Sequence, residues 1–444
     1  MPILSRLRIL VNLFFIALAV GVEAHAGDGW TRFQGPVDES LAVADVPLRW
    51  SSTQNVAWRT PLVGYGQSSP VVWQGRVFVT SISGAMKENC HVAAYDLQSG
   101  KVLWQHDLAA ASQAENSTYV SKAAPSPVVD EAGVTALFEG GNLISLTHDG
   151  KVRWQRNLVA EYGAIDSRHG LGASLEQDAE RIYGWIERSE APYVLALSKS
   201  TGETIWKQEG LGVTSWSSPR LVPIGEANHL VLSGIGRLAG LDPRTGQRLW
   251  SFEDISGNST PTPVPLGEGR FLIGATTGNG DANAGKAAAS NGVVQIKRQA
   301  DGAFSAEWVW RAERATSSFG SPIAHRGYAY FVNRAGVVYC LDLESGEEQY
   351  AKRSSGSIWA TPIGIGERIY LFGKEGTTTV IQAGPDFEVL AENELAPEAQ
   401  PQSDGGREAA AAGATFYAAV AVEGRFLIRS GEALYAIGQA ESLR

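Results

Sequence analysis

The sequence predicts an all-β fold, an eight-bladed β-propeller of four-stranded antiparallel blades, closed by an N-terminal strand that completes the last blade. Two recurring signals, and their order at the chain ends, carry this expectation. The first is a turn followed by an aromatic residue: Asp96, Gly100 and Trp104; Gly150 and Trp154; Gly202 and Trp206; Asp242, Gly246 and Trp250; Asp342, Gly346 and Tyr350. In each the Gly stands four residues ahead of its aromatic partner. Asp followed by Ser or Thr and then Gly makes a tight turn, because the carboxylate bonds the backbone and Gly accepts positive φ. A strand follows with its aromatic residue on the buried face. Trp58, Trp104, Trp154, Trp206, Trp250 and Tyr350 are therefore expected to be blade-docking core. Degenerate copies at Trp58, at Trp308 and Trp310, and around Leu390 bring the total to eight.

The second signal is Ser or Thr before Pro at the head of an apolar strand, at Ser69, Ser126, Ser218, Thr262, Ser321 and Thr361, with degenerate openings near Gly172 and Phe416. A turn falls about five residues after most openings, as at Gln74-Gly75-Arg76, and a β-rich run such as Val77-Phe78-Val79 follows. At the ends the two signals complete each other. Trp58 precedes the first opening, while the opening near Phe416 has no closing strand after it. The strand around Val56 to Thr60 should thus be the outermost strand of the last blade, leaving no exposed sheet edge at the seam.

The run Asp96-Leu97-Gln98-Ser99-Gly100-Lys101-Val102-Leu103-Trp104, repeated from Asp242 to Trp250, resembles the tryptophan-docking repeat of the pyrroloquinoline-quinone (PQQ)-like β-propeller family. The resemblance spans nearly all of the chain after its first residues. It implies a ring in which each Trp wedges between neighbouring blades, and it implies either of two functions. Quinoprotein alcohol dehydrogenases hold PQQ and calcium with adjacent cysteines, a stacking Trp, and carboxylate and amide ligands. This chain has only two cysteines, Cys90 and Cys340, and is shorter than those enzymes. The one stretch similar to their Gly-Asn segment, Thr277 to Asn283, offers Asn279, Asp281 and Asn283 as weak calcium ligands. Ala284 stands where such a loop turns on Gly, and Ser290 where it uses Glu, so a polar loop and no metal are expected. The second group is non-enzymatic and similar to the propeller lipoprotein of the outer-membrane barrel-assembly machinery, although the lipid-bearing Cys is missing here. The segment from Trp30 to Pro36, followed by Leu48-Arg49-Trp50, also looks like the start of many exported PQQ-like repeat proteins.

Residues 1–26 read as a signal peptide. Arg6 and Arg8 precede an apolar run from Ile9 to Val20, and Ala24-His25-Ala26 supplies a small-x-small cleavage signal. Residues 27–444 are then one propeller domain, exported to the periplasm or beyond the cell and soluble, since no run reaches the roughly 20 apolar residues a spanning helix needs. A net charge of −10 without any Lys/Arg cluster argues against nucleic acid. Cys90 and Cys340, on third strands of the first and sixth blades, are too far apart to bridge and should be free thiols. The histidines share no metal-ligand spacing, and no Gly-x-Ser-x-Gly elbow occurs. No catalytic residue is assigned.

Binding is expected at the channel mouth. The position three residues before the strand-opening Pro reads Gln67, Ala124, Gly172, Trp216, Thr260, Phe319, Trp359 and Phe416 around the ring. Half of these are aromatic, which marks Gln67, Trp216, Thr260, Phe319, Trp359 and Phe416 as candidates. Long connections at about 105–123, 155–171, 274–292 and 391–412 share that face. A monomeric binding or scaffolding protein, with a protein partner or small ligand on the long-loop face and no cofactor, is the expected function. A PQQ-dependent dehydrogenase acting on alcohols or sugars is the alternative.

Overall fold

A computed structural model describes residues 29–35, 46–117, 120–167, 169–188, 190–211, 216–276, 287–395 and 415–439. Eight four-stranded antiparallel blades form a ring. Blade 1 runs from Val71–Trp73 through Arg76–Ser83 and Asn89–Asp96 to Val102–Ala109. Blades 2 to 7 repeat the pattern with innermost strands at Val128–Asp130, Glu176–Gln177, Arg220–Ile224, Val264–Gly267, Ile323–His325 and Ile363–Ile365. In blade 8 the strands Phe416–Val422, Arg425–Ser430 and Ala433–Ile437 are completed by Val56–Pro61, with Trp58 opposite Ala436. The predicted closure is therefore the observed one. The middle strands, covered on both sides by neighbouring blades, are continuously buried, as over Val77–Ile82, where only Thr80 and Ser81 are polar, whereas the outer strand Val102–Ala109 alternates between exposed and half-buried.

The recurring Gly and Trp meet across blade junctions. Trp58 donates its indole N–H to the Leu97 carbonyl of blade 1 (3.0 Å), Trp104 to His148 of blade 2 (2.8 Å), Trp154 to Lys199 of blade 3 (2.9 Å) and Trp206 to Pro243 of blade 4 (2.9 Å). Trp310 of blade 5 donates to Leu343 of blade 6 (2.9 Å). Each acceptor lies in the turn before the receiving blade's outer strand. The Gly of that turn, with φ between 67° and 81°, lies flat beneath the incoming ring: a Cβ on Gly100, Gly150, Gly202, Gly246 or Gly346 would sit 2.5 to 2.8 Å from indole carbons. The motif thus needs Gly twice, for its backbone and for the next-door Trp.

Three junctions depart from the rule. Trp250 of blade 4 stacks on Phe271 of blade 5 (centroids 6.3 Å) but donates to Nδ1 of His229 in its own blade (3.0 Å). Tyr350 of blade 6 packs on Phe387 (5.3 Å). Blade 7 carries Ala391 at the docking position, and Trp50, arriving from the N-terminal segment, fills the gap by stacking on Tyr370 (6.3 Å) and packing on Phe426 (5.9 Å).

The strand-opening hydroxyls form a second ring, nearer the axis. The amide of Ser69 donates to the Ser126 hydroxyl, Ser126 to Ser174, Ser174 to Ser218, Ser218 to Thr262 and Thr262 to Ser321, all at 2.9 Å, and Ser321 to Thr361 at 3.1 Å. Ser174, followed by Leu instead of Pro, is the blade-3 member. Cys90 and Cys340 are buried free thiols on the third strands of blades 1 and 6. Burial pushes each thiol up to about 12. Among the described residues no helix is long and apolar enough to cross a membrane.

Candidate functional site

The ring encloses a cavity of about 1890 Å³ that reaches from the mouth, where the innermost strands begin, to the short turns at their far ends. The N-terminal segment occupies part of the channel. Gly29–Trp30 pairs antiparallel with Val71–Trp73, and the Val129 amide donates to the Thr31 carbonyl (3.0 Å). Arg32 then meets the buried Glu176 (2.5 Å), which also faces the buried Arg220 (3.4 Å), and the Gln34 amide reaches the Thr262 carbonyl (3.5 Å). Burial draws the Arg220 guanidinium below its usual range, opposed by the Glu176 charge. This segment lies across the inner faces of blades 1 to 4, while the inner strands of blades 5 to 7 stay half-open to the cavity.

Of the eight mouth positions, Gln67, Ala124, Gly172, Trp216, Thr260, Phe319 and Trp359 line the cavity. Phe416 does not. A register shift between Phe416 and Ala418 turns it into the core against Tyr435 (5.7 Å), and Tyr417 faces the cavity in its place. Gln67 is spent on structure, its side-chain carbonyl accepting from the Lys122 amide (2.9 Å) and so pinning the connection between blades 1 and 2. Trp216 lies flat on Gly172, where a Cβ would come within 2.5 Å of the ring.

The remaining aromatics gather on one side. Phe319 packs on Trp359 (4.7 Å), Trp359 on Tyr417 (6.3 Å), and Tyr417 on Tyr65 (6.1 Å), whose hydroxyls meet at 2.7 Å. Lys374 stands over Trp359 (4.6 Å) and Lys122 over Tyr65 (5.2 Å). Beneath the tyrosines Arg429 is fully buried, donating to the Ser68 and Thr80 carbonyls (3.0 and 2.5 Å). Burial pulls its guanidinium down to about 10. Among the described residues the cavity wall bears Lys122, Arg220, Arg326, Arg334 and Lys374 and one carboxylate, Glu375, while Glu176 pairs with Arg220 and Glu367 with Arg326. The described cavity wall is thus more basic than the chain as a whole, whose net charge is −10. Sequence spacing marked Trp359 and Phe319 but not Lys374, Arg334 or Tyr417, because the two cations follow second strands, off the strand-opening position that the spacing follows.

Asn279, Asp281 and Asn283 lie outside the described residues. Among the described residues no group of three His, Cys, Asp or Glu side chains is placed to hold a metal ion.

An eight-bladed ring locked by Trp-on-Gly contacts, with a cavity on its axis, defines the class of PQQ-like repeat propellers. The chain belongs to the family described as outer membrane protein assembly factor BamB, whose pattern matches residues 43–168 and 185–383. It is 27% identical over 214 residues to the BamB of Salmonella typhimurium, covering 48% of each chain, so it spans about half the length of the curated relatives it matches. Among solved structures it is similar to BamB from Moraxella catarrhalis, with a TM-score of 0.58 and 13% identity over 86% of this chain and 99% of that one. It is also similar to a europium-containing methanol dehydrogenase, with a TM-score of 0.55 and 11% identity over 86% and 88%. These two likenesses are of fold.

Proposed function

We propose that this propeller is an exported binding or scaffolding protein of the cell envelope, carried out by the signal peptide of residues 1–26, that works as a monomer and takes a protein partner at the mouth of its channel. The observation that carries this reading is the cationic, aromatic mouth at Phe319, Trp359, Tyr417, Arg334 and Lys374, held on a rigid ring. Aromatic residues and Arg anchor interfaces because they bury large areas and bond at fixed geometry. Membership of the BamB family supports an assembly role over a catalytic one. The quinone-enzyme alternative fits the residues poorly. PQQ with calcium calls for several oxygen ligands and, in those enzymes, paired cysteines, whereas the described cavity wall contributes one carboxylate, and Cys90 and Cys340 are buried in separate blades.

The purified chain should retain a defined protein from an envelope extract, identified by mass spectrometry, and the Phe319→Ser/Trp359→Ser variant should lose it. Alcohol or aldose oxidation after incubation with PQQ and calcium would overturn the reading, as would equal capture by both forms.

A further inference from the structure

Three polar side chains of blade 1 form a hydrogen-bonded relay away from the axial cavity. Ser83 ends the second strand, His91 lies near the start of the third and Asp107 near the end of the fourth, all at the mouth end of the blade. His91 stands opposite Ser81 on one side and Asp107 on the other, so positions 83, 91 and 107 share one face of the sheet. That face turns toward blade 8: Val77, Val79, Ala93 and Tyr95, in steps of two along the same strands, pack in one core with Val420 and Leu434.

Nδ1 of His91 meets the Asp107 carboxylate at 2.7 Å, and Nε2 meets the Ser83 hydroxyl at 2.8 Å. A carboxylate only accepts, so Nδ1 carries the proton, and Nε2 of the neutral ring accepts from Ser83. The His91 bond holds the Asp107 carboxyl below its usual range, and Gln105 donates to the same oxygen (2.7 Å). His91 is buried, Asp107 is exposed and Ser83 is half-buried, so the relay runs from an anchored ring to a hydroxyl that solvent reaches. Glycines flank that hydroxyl. A Cβ on Gly64 (φ 67°) would come 3.2 Å from the Ser83 Cβ, and a Cβ on Gly84 (φ 97°) would run into the Glu88 carboxylate.

We propose that Ser83, His91 and Asp107 form an esterase site on the face of blade 1 that turns toward blade 8, acting on carboxylic esters with a small acyl group. Hydroxyl, imidazole and carboxylate stand in the order of a nucleophile, its base and the group that orients the base. The Ser83 Oγ attacks the ester carbonyl and passes its proton to His91 Nε2. The Gly84 amide, which has no acceptor among the described residues, takes the oxyanion. The C–O bond to the alcohol then breaks, and the alcohol leaves with the proton held on His91. Water attacks the acyl-serine by the same route, releasing the acid and restoring the hydroxyl. Gly64, pressed against Ser83, limits the acyl group to a small one. Asp107 is a positioning residue.

The test is covalent labelling of the full chain with diisopropyl fluorophosphate, in which Oγ displaces fluoride from phosphorus. Intact mass and peptide mapping should show one adduct, at Ser83, and none in Ser83→Ala. His91→Gln and Asp107→Asn should each slow labelling by about a hundredfold or more, and Asp107→Glu should restore part of the rate. Because Asp107 is exposed, its variants should keep the thermal unfolding midpoint, which separates positioning from folding. The unaltered chain should also hydrolyse p-nitrophenyl acetate faster than the octanoate, with Ser83→Ala inactive on both. Absence of an adduct at Ser83, labelling no faster than in the urea-unfolded chain, or a rate indifferent to Asp107→Asn would overturn the inference. Each of those results would leave the binding role at the channel mouth untouched.

Discussion

The rim of the ring and the mouth of its channel are built from the same repeat and have diverged to different degrees. At the rim, five junctions place a Trp on the next blade's Gly with an indole bond to that blade's turn. At the mouth the corresponding positions hold Gln, Ala, Gly, Trp, Thr, Phe and Trp, with Tyr417 in the eighth place. Positions that must all solve one packing problem stay alike, whereas positions facing a cavity are free to specialise. The ring is thus a stable frame with an irregular inner edge, where the proposed binding role would place recognition.

That contrast breaks if rim and mouth respond alike to substitution. The largest effect is expected at the rim. Trp206→Ala removes a buried indole, its bond to Pro243 and the cover over Gly246, and should cost about 3 to 5 kcal/mol in chemical denaturation. Next comes the irregular junction at blade 4, where Trp250 needs a neutral His229 as acceptor. Burial holds that imidazole down to about 4, below its ordinary 6.5. Between those values the unfolded chain takes up a proton that the folded one refuses, so stability is full above pH 6.5 and falls as pH drops toward 4, by about 2 to 3 kcal/mol. Thermal unfolding at pH 7 and 4.5 should show this loss, and His229→Gln should reduce it. An unchanged pH dependence in that variant would remove His229 from the account.

Smaller still is the hydroxyl ring. Ser174→Ala leaves the buried Ser126 amide without its acceptor and should cost about 1 to 2 kcal/mol, read from the denaturation midpoint. At the mouth, Trp216→Ala with Trp359→Ala should cost less than Trp206→Ala alone while weakening partner capture. Equal destabilisation with capture intact would show the mouth aromatics to be only packing.

Periodicity in the sequence was enough to determine the blade count, the four-stranded pattern and the closure by Val56–Pro61, because repeat spacing and turn chemistry are local and recur. It also placed Cys90 and Cys340 in separate blades, where both are free thiols. Tertiary structure alone decided the rest. The turn Gly lies under the previous blade's Trp, Trp50 replaces a missing docking residue from hundreds of positions away, and residues 29–35 lie along the inner faces of blades 1 to 4. The bulge that buries Phe416 and presents Tyr417 changes register without leaving a mark in the spacing. Such features arise where distant segments converge on one axis. There the energetics depend on which surfaces meet, and the linear order of residues carries no record of it.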